Sequence, residues 1–516
     1  MKGSPHITFI NPPGLYSPKS LSYWGPTPPL GLAYIIAIAK KMKFLVHTID
    51  AVGQKIDHYQ NWKTNSGPLV LNGLNIEEIV EQVNPKTHLI AISHLFLHQW
   101  PFINQLTLAI KKRTPNALII LGGENASSFR DYILENAPQI DFCVQGEGEK
   151  IFSNVLINLK ENKNIKDLPG LSYFENGKLI DNPKESRIAQ VENIPWPAWE
   201  EFPIENYLKS KDGMGYHKGR SLPIMATRGC PYHCTFCSAP DLWTNKYFLR
   251  GPQDVLKEIK YLKSQYNIQN FNFSDLTLIA NINWIRDFCS LLKKENLNIT
   301  WQLPSGTRSE VLRPEILKMM KQTGLHNLNL SPESGSIKII KAIKKRVKLS
   351  KFQEVQRSAQ RAGIKTEANI IIGHPKETRK DLLKTLWFIL KLSISGLNDI
   401  SPIIFTPYPG SEDYRRLKEE GKIVFDENYF YSNINRVGNA TLSYHPSIGI
   451  KELVFYQFFI LFTFYGINYL IRPIRIIKVV KNLFEPTSNG QMESFLKKRL
   501  TRVLEINPLD RYRSQN

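Results

Sequence analysis

Three cysteines, Cys230, Cys234 and Cys237, stand close together in the segment Ala-Thr-Arg-Gly-Cys-Pro-Tyr-His-Cys-Thr-Phe-Cys at residues 226–237. Thiolates are the usual ligands of iron–sulfur clusters, and three of them on one loop can bind three irons of a four-iron cluster. The fourth iron then has no protein ligand and is open to a substrate or cofactor. The Cys-x3-Cys-x2-Cys spacing therefore predicts a site of iron–sulfur chemistry.

Two other kinds of cysteine site fit the sequence less well. A structural zinc site usually has four ligands in two separated pairs, whereas Cys143 and Cys289 each stand alone in apolar sequence. His233 would complete a set of four ligands only with awkward geometry. A disulfide framework is not expected, because five cysteines in 516 residues is a sparse and odd number, typical of a reducing compartment.

The composition favours a large globular protein of the cytoplasm. A chain of 516 residues, 42% of them hydrophobic, predicts about two to four domains with sizeable cores. Residues 1–20 lack the continuous apolar segment of a signal peptide, so a cytoplasmic location is expected. The formal charge of +21 suits nucleic acid or an anionic membrane. Nucleic acid is not favoured as a partner, because the lysines are spread along the chain without a basic run interleaved with aromatics.

The first 160 residues predict alternating strands and helices. Segments such as 6–11 and 88–93 are apolar throughout and are separated by helical patterns. Such strands are typical of a doubly wound parallel sheet, which binds ligands at the carboxyl ends of its strands. The candidate ligand contacts at those ends are Asn11, Ser93, Leu95, Gly122, Gly123, Glu124, Gly146 and Glu147.

A second α/β region is predicted from residue 222. Six strand–helix units follow one another there, which suits an open, partial (β/α)6 barrel with its site at the carboxyl ends of the strands. Residues 161–221 before it are rich in Lys and Asn and predict a linker with an edge hairpin. The expected organisation is a sheet domain at 1–160, a linker at 161–221, a barrel at 222–432 and a helical C-terminal region at 433–516.

These motifs together resemble the radical S-adenosylmethionine (SAM) enzymes that carry a cobalamin-binding domain ahead of the barrel. Pro231 and Phe236 match the cluster loop of that family. Ser93-His-Leu95 is followed, after 26 residues, by Gly122-Gly123, which matches its cobalamin domain. The resemblance covers about 430 residues and extends to class B radical SAM methyltransferases and to the anaerobic magnesium-protoporphyrin monomethyl ester cyclase.

The resemblance implies a four-iron cluster, SAM and cobalamin as cofactors. The open iron would bind SAM, and the reduced cluster would cleave it to a 5′-deoxyadenosyl radical. The strand-end residues of the sheet domain would contact cobalamin, and Val52 stands where many relatives have a cobalt-binding histidine. The residues that the resemblance assigns to SAM are Phe236, Asp275, Arg308, Glu333 and Ser334.

Two of the SAM assignments have structural alternatives. Asp275 is equally suited to capping a helix, since Asp is a preferred N-cap residue. Arg308 would either bind the SAM carboxylate or form an ion pair with Glu310 within the protein. Both pairs of interpretations remain open at the level of the sequence.

The resemblance implies methyl transfer to an unactivated carbon of a hydrophobic substrate, through a 5′-deoxyadenosyl radical and methylcobalamin. The alternatives are a cyclase or oxidoreductase acting on a porphyrin-like ring, and a non-catalytic iron–sulfur or cobalamin sensor. A methylthiotransferase would need a second trio of cysteines, which the chain lacks. The expected partners are a small-molecule or lipid substrate and an external electron donor of the ferredoxin or flavodoxin type.

The C-terminal region carries a different signal. Residues 453–471 contain no charge, and as a helix they would be about 28 Å long, near the hydrocarbon thickness of a bilayer. In residues 472–481 cations recur every three residues with apolar pairs between them, a pattern suited to an anionic membrane face. We expect peripheral contact with the inner face of the membrane; a core helix packed on the barrel and a single span are the alternatives.

Overall fold

The computed structural model of the chain describes residues 5–18, 20, 25–210, 215–216, 218–434, 440–483, 493 and 496. Two α/β units, each built on a large β-sheet, make up most of this part of the chain. Of the helical C-terminal region predicted at 433–516, the residues after 483 lie outside the described part, except 493 and 496.

The first sheet has seven strands, with the order β7-β6-β5-β4-β3-β1-β2. The strands are β1 (His6–Asn11), β2 (Leu45–Asp50), β3 (Leu89–Ser93), β4 (Leu118–Gly122), β5 (Phe142–Val144), β6 (Leu171–Glu175) and β7 (Lys178–Asp181). The first five are parallel, as expected for a doubly wound sheet, and their order β2-β1-β3-β4-β5 is flavodoxin-like. The hairpin of β6 and β7 adds antiparallel strands, so the sheet continues past residue 160.

Helices cover both faces of this sheet, and two separate cores result. The helices are α1 (Leu30–Lys41), α2 (Ile76–Gln82), α3 (Trp100–Arg113), α4 (Arg130–Asn136) and α5 (Gly148–Lys160). Phe9 packs with α1 and α5 on one face, while its neighbour Ile10 packs with α2, α3 and α4 on the other. Successive side chains of a strand point to opposite faces, which explains why β1 is apolar throughout.

The second sheet is a six-stranded parallel sheet in chain order, which confirms the partial barrel. Its strands are β8 (Ser221–Ile224), β9 (Asn270–Phe273), β10 (Thr300–Thr307), β11 (Leu325–Glu333), β12 (Lys365–Ile372) and β13 (Asp399–Ile404). The intervening helices are α6 (Pro252–Tyr266), α7 (Ile282–Glu295), α8 (Pro314–Gln322), α9 (Leu349–Arg361) and α10 (Arg379–Ile394).

One strand prediction was wrong in its length. Residues 222–228 read as one continuous strand, but β8 ends at Ile224 and Thr227–Arg228 pairs with Phe248–Leu249 in a separate ribbon. The break has a physical cause, because the backbone N–H groups of Ala226 and Thr227 donate to the Asp275 carboxylate instead of to a neighbouring strand.

Smaller elements complete the described chain. An antiparallel sheet of Gly14–Tyr16, Tyr59–Trp62 and Leu69–Asn72 was not predicted. Three further helices are α11 (Glu412–Glu419), α12 (Ile450–Ile471) and α13 (Ile474–Leu483). The short helices are Ala51–Gln54, Glu124–Ser128, Ile204–Lys209, Ala239–Trp243, Ile337–Ala342 and Glu427–Phe430.

Helix α12 packs one face against the outside of the barrel. Within the described residues it is the helix that is long and apolar enough to cross a membrane, judged by length and composition. Gln457 Nε2 donates to the carbonyl oxygen of Pro402 at 2.7 Å, and Asn468 Nδ2 donates to that of Leu397 at 2.8 Å. These two polar side chains, which would be unfavourable in a bilayer, therefore have partners in the barrel.

The packing of α12 predicts the effect of replacing Asn468 by leucine. This change removes the two hydrogen bonds that the buried Asn468 side chain makes with the Leu397 carbonyl and with Arg475, and places an apolar side chain beside these polar groups. We expect a loss of about 1–3 kcal/mol in the free energy of unfolding, seen as a lower midpoint of chemical denaturation. The control Phe462→Leu alters a side chain that is 76% exposed and should leave the midpoint unchanged; equal midpoints for both variants would contradict this packing.

Candidate functional site

The three predicted cluster cysteines lie on the loop that follows β8, at the carboxyl end of the barrel. Cys230, Cys234 and Cys237 are free and half-buried. Among the described residues no three His, Cys, Asp or Glu side chains are grouped as the ligands of a single metal ion. A four-iron cluster does not require such a group, because each thiolate binds a different iron.

The cysteine loop is tied to the last part of the barrel through Thr235. Its hydroxyl donates to Asp413 Oδ2 at 2.6 Å, and the backbone N–H of Asp413 donates to the Thr235 carbonyl at 2.9 Å. His374 Nε2 lies 3.2 Å from the same carboxylate. Burial alone would raise the pKa of Asp413, but hydrogen bonds from His374 and Thr235 hold it below its usual value. An ionised carboxylate therefore fixes the loop between two of the predicted cluster ligands, Cys234 and Cys237.

Two cationic side chains lie beside the loop. Arg308 Nη2 is 3.5 Å from the Cys234 sulfur, and its guanidinium lies 3.5 Å from the centre of the Tyr232 ring. Lys345 pairs with Glu333 at 2.7 Å and lies 5.9 Å from the centre of the Phe236 ring. These cations favour the binding of anionic groups beside the loop.

A cavity of about 390 Å³ opens between the cysteine loop and the sheet domain. Phe236, Cys237 and Glu333 line it from the barrel, while Leu95 and Glu124 line it from the sheet domain. We call it the barrel cavity. It brings one predicted cluster ligand and two of the predicted SAM residues to the same space.

A second cavity, of about 350 Å³, lies over the carboxyl edge of the first sheet, and we call it the sheet cavity. Seven of the eight predicted cobalamin residues line it: Ser93, Leu95, Gly122, Gly123, Glu124, Gly146 and Glu147. A Cβ on Gly122 would meet nothing within 4 Å, so the backbone there faces open space. Gly123 has φ +116° and a Cβ would lie 2.8 Å from the His94 carbonyl oxygen, which requires glycine. The floor of this cavity suits close approach by a large ligand.

The two cavities share Leu95 and Glu124. Leu95 is 39% exposed, unusual for a leucine at a domain interface. The Glu124 carboxylate accepts a hydrogen bond from Ser238, the residue after Cys237. A ligand on the first sheet and a ligand at the cysteine loop would therefore be direct neighbours across these two side chains.

Asn11, Ser334, Arg308 and Asp275 are among the predicted residues that have partners within the protein. Asn11 Nδ2 donates to Asp50 at 2.7 Å, and the Ser334 hydroxyl lies 3.0 Å from that of Thr385. Arg308 lies 3.6 Å from Glu310, as the structural alternative expects.

The fourth is Asp275, which binds the backbone at Thr227. It caps no described helix, since the N-cap of α7 is Asn281. Burial raises the pKa of Asp275 to about 7, despite hydrogen bonds from Thr227 and Ala226 that lower it. The contacts of these residues with SAM or cobalamin stay predictions.

The sequence did not reveal a buried charge cluster of Glu147, Glu149, Arg187 and Arg228, which we call the interdomain charge cluster. Arg187 Nε lies 2.9 Å and Arg228 Nη1 3.3 Å from the Glu147 carboxylate, and Arg228 Nη2 lies 2.5 Å from Glu149. All four side chains are at most 7% exposed. The Gly-Glu-Gly-Glu motif was visible in the sequence, but nothing marked its arginine partners in the linker and beside the cysteine loop.

Both histidines near the sheet cavity are engaged elsewhere. His94 Nε2 is 2.8 Å from Asn125 Nδ2, and His98 Nδ1 is 3.2 Å from Asn433 Oδ1. Neither lines the two cavities. Val52, at the position of the missing histidine motif, is itself buried. The geometry agrees with a sheet domain that offers no histidine from that motif.

Comparison with known proteins identifies both sheets. Residues 21–156 match the family model of the B12 binding domain, and residues 224–389 match that of the radical SAM superfamily. The chain is a radical SAM protein with a B12-binding domain. Its barrel therefore carries a four-iron cluster and binds SAM, and its sheet domain binds cobalamin.

Relatives and one solved structure agree with this assignment. An uncharacterized methyltransferase, PH0819 of Pyrococcus horikoshii, is 27% identical over 384 residues, 74% of this chain and 77% of that protein. The anaerobic magnesium-protoporphyrin IX monomethyl ester cyclase of Cereibacter sphaeroides is 26% identical over 440 residues, 84% of this chain and 66% of that protein. The fold is similar to that of the cobalamin-dependent SAM radical enzyme OxsB with aqua-cobalamin and SAM bound: the TM-score is 0.66 at 15% identity, over 97% of this chain and 80% of that chain.

Cluster binding provides a direct test of the cysteine assignments. Cys234→Ala should abolish the visible absorbance of the reconstituted cluster, because one iron loses its only protein ligand. The matched control is Cys289→Ala. Cys289 is buried on helix α7 beside Thr323 and lines neither of the two cavities. A cluster of normal absorbance and iron content in Cys234→Ala would show that the assignment is wrong.

The tie between Thr235 and Asp413 predicts a second effect on the cluster. Asp413→Ala removes the acceptor of the Thr235 hydroxyl and should speed removal of iron by a chelator several-fold, since a loosened loop opens more often. The neighbouring change Glu412→Ala breaks only an exposed ion pair with Lys344 and serves as the control. Equal chelation rates in the two variants would rule out the tie as a support of the cluster.

Proposed function

We propose that the protein is a cobalamin-dependent radical SAM methyltransferase that transfers a methyl group to an unactivated carbon of a hydrophobic substrate. The observation that carries the proposal is the meeting of the two cavities at Leu95 and Glu124. Transfer of a methyl group to a substrate radical requires that the substrate and the methyl donor are in contact and that water is excluded. A methyltransferase among the relatives supports the same reaction class.

The bound cofactors would supply a 5′-deoxyadenosyl radical and a cobalt-bound methyl group. Each methyl transfer consumes two SAM molecules and two electrons; the substrate gains the methyl, and methionine, 5′-deoxyadenosine and S-adenosylhomocysteine are released. The residues of this chain position the reactants. We propose that Glu333, Phe236 and Arg308 orient SAM beside the cysteine loop, and that the glycine floor at Gly122 and Gly123 receives the corrin.

The walls of the barrel cavity favour a hydrophobic substrate. Leu97, Ile371, Ile403 and Phe405 line it together with the half-exposed Phe96. The polar Asn369 forms part of the same lining, and its Nδ2 donates to the Ser331 hydroxyl at 3.1 Å. A largely apolar molecule with a hydrogen-bonding group at one end matches these surroundings.

The second candidate function is a radical cyclase or oxidoreductase acting on a porphyrin-like ring. The similarity to the magnesium-protoporphyrin cyclase over 84% of this chain supports it. The two reactions differ in the mass of the product, because methyl transfer adds one carbon whereas cyclisation or oxidation changes only oxygen and hydrogen.

Two further proposals concern the surroundings of the enzyme. Reduction of the cluster and cobalt requires electrons from outside, and we propose a donor of the ferredoxin or flavodoxin type. We also propose that the protein works in the cytoplasm, peripherally on the inner face of the membrane. The outer face of α12 supports this location, since Phe455 and Phe462 are 63% and 76% exposed.

The reaction is tested with protein reconstituted anaerobically with iron, sulfide and cobalamin. With SAM, a reductant and a lipid or metabolite extract, we expect 5′-deoxyadenosine and S-adenosylhomocysteine together, and a product heavier by one methyl group. Cys234→Ala should form no 5′-deoxyadenosine. A product changed only in oxygen and hydrogen would favour the cyclase, whereas no 5′-deoxyadenosine from the reconstituted wild type would favour the sensor.

A further inference from the structure

The outer face of α12 carries a continuous apolar stripe. Phe455, Phe458, Phe459 and Phe462 are 63%, 47%, 41% and 76% exposed. Their spacing of three or four residues places them on one side of the helix. Leu470 continues the stripe with 79% exposure. Exposed apolar patches of this kind on a folded protein mark interaction surfaces.

A second helix contributes to the same surface. On α10, Leu383, Trp387 and Ile394 are 55%, 59% and 51% exposed. They recur at intervals of four and seven residues and so share one face of that helix. Lys391 lies over the Trp387 ring at 5.4 Å. The sequence had placed a membrane signal only in the C-terminal region, whereas α10 belongs to the barrel itself.

Contacts at both ends show that α10 and α12 lie side by side and run in the same direction. At their starts, Arg379 Nε is 2.7 Å from the Glu452 carboxylate. Further along, the Ser393 hydroxyl donates to the Phe464 carbonyl at 2.7 Å. Trp387 lies eight residues after Arg379, and Phe459 and Phe462 lie seven and ten residues after Glu452. The two apolar stripes therefore lie at the same level along adjacent helices.

Helix α13 extends the surface and is fixed to the barrel. Arg475 donates to the carbonyl oxygens of Leu397 and Gly396 at 2.9 and 2.8 Å, which holds the start of the helix. Ile474 and Ile477 are 61% and 67% exposed, and the exposed cations of α13 are Lys478 and Lys481.

The charges of the three helices are strongly unequal. They contain eight Lys or Arg residues and two acidic residues, Asp381 and Glu452. Both acids are paired, Asp381 with Lys338 and Lys384, and Glu452 with Arg379. The surface therefore presents a cationic apolar face to a partner.

We propose that the outer faces of α10, α12 and α13 form one surface, the docking surface, that binds an anionic lipid bilayer at the level of its headgroups. This inference rests on the proposed peripheral location and specifies the residues that produce it. Trp387 suits this depth because its ring combines apolar area with a polar N–H group, and lysines beside it attract anionic lipids. A second copy of the chain is a poorer occupant, since its surface carries the same excess of cations and would repel this one.

The inward face of α12 fixes the mode of binding. Gln457, Asn468 and Tyr465 each bond to the barrel, and a spanning helix would have to give up all three contacts. The helix therefore lies in the plane of the interface. Leu453 packs against Gly373, directly after the carboxyl end of β12. One end of the docking surface thus lies at the end of the barrel that carries the cysteine loop, where a lipid-soluble substrate would need to arrive.

Vesicle sedimentation tests the proposal on the reconstituted full-length protein. Binding is compared for vesicles of equal parts phosphatidylglycerol and phosphatidylcholine and for phosphatidylcholine alone. We expect clear binding to the anionic vesicles, weakening as salt is raised. Trp387→Ser combined with Phe462→Ser should reduce it about tenfold, because two inserted rings are lost. Lys478→Gln combined with Lys481→Gln should weaken binding only to the anionic vesicles.

The control variant is Leu45→Ser combined with Val424→Ser, which removes two exposed apolar side chains, 56% and 70% exposed, that lie outside the three helices. It should bind vesicles as the wild type does. The inference is overturned if the wild type does not bind, if the control variant loses as much binding as the Trp387 variant, or if the Trp387 variant instead abolishes a dimer seen by light scattering. Formation of 5′-deoxyadenosine without vesicles is measured in the same preparations. Its presence without vesicle binding refutes the docking surface alone, and its absence in the wild type refutes the proposed function.

Discussion

The structure depends on the interdomain charge cluster, which holds the carboxyl ends of two independent sheets against each other. Glu147 and Glu149 follow strand β5 of the first sheet, Arg187 comes from the linker, and Arg228 precedes Cys230 by two residues. Charges so deeply buried are tolerated only when paired, and removal of one partner from such a group costs about 3–5 kcal/mol. These ion pairs therefore hold the two sheets edge to edge beside the point where the sheet cavity and the barrel cavity meet.

The contact between the two sheets explains the positions of Gly122, Gly123 and Leu95 at the edge of the first sheet. Gly122 and Gly123 leave the floor of the sheet cavity open, while Leu95 stands half-exposed between that cavity and the barrel cavity. Because Leu95 lines both cavities, its side chain is suited to separating the two bound cofactors.

Local patterns in the sequence predict the fold and the cysteine loop. They do not predict the ion pairs and hydrogen bonds between residues that are distant in the sequence. The apolar strands and the cysteine spacing were predicted because each is fixed within about ten residues. Arg228 and Asp413 were not identified, since an ion pair across two domains has no periodicity. The apolar α12 gave no preferred face, and Trp387 on α10 fitted the pattern of an ordinary barrel helix. The three-stranded sheet with Gly14–Tyr16 was missed because its strands span only three or four residues.

The bond between Thr235 and Asp413 joins positions 178 residues apart. During synthesis the cysteine loop leaves the ribosome long before the segment that fixes it. The loop can take its final shape only when nearly the whole barrel has been made. We therefore expect cluster insertion to be a late event in the biogenesis of this protein, since a chain interrupted before α11 would keep its three cysteines and still lack the carboxylate that fixes their loop.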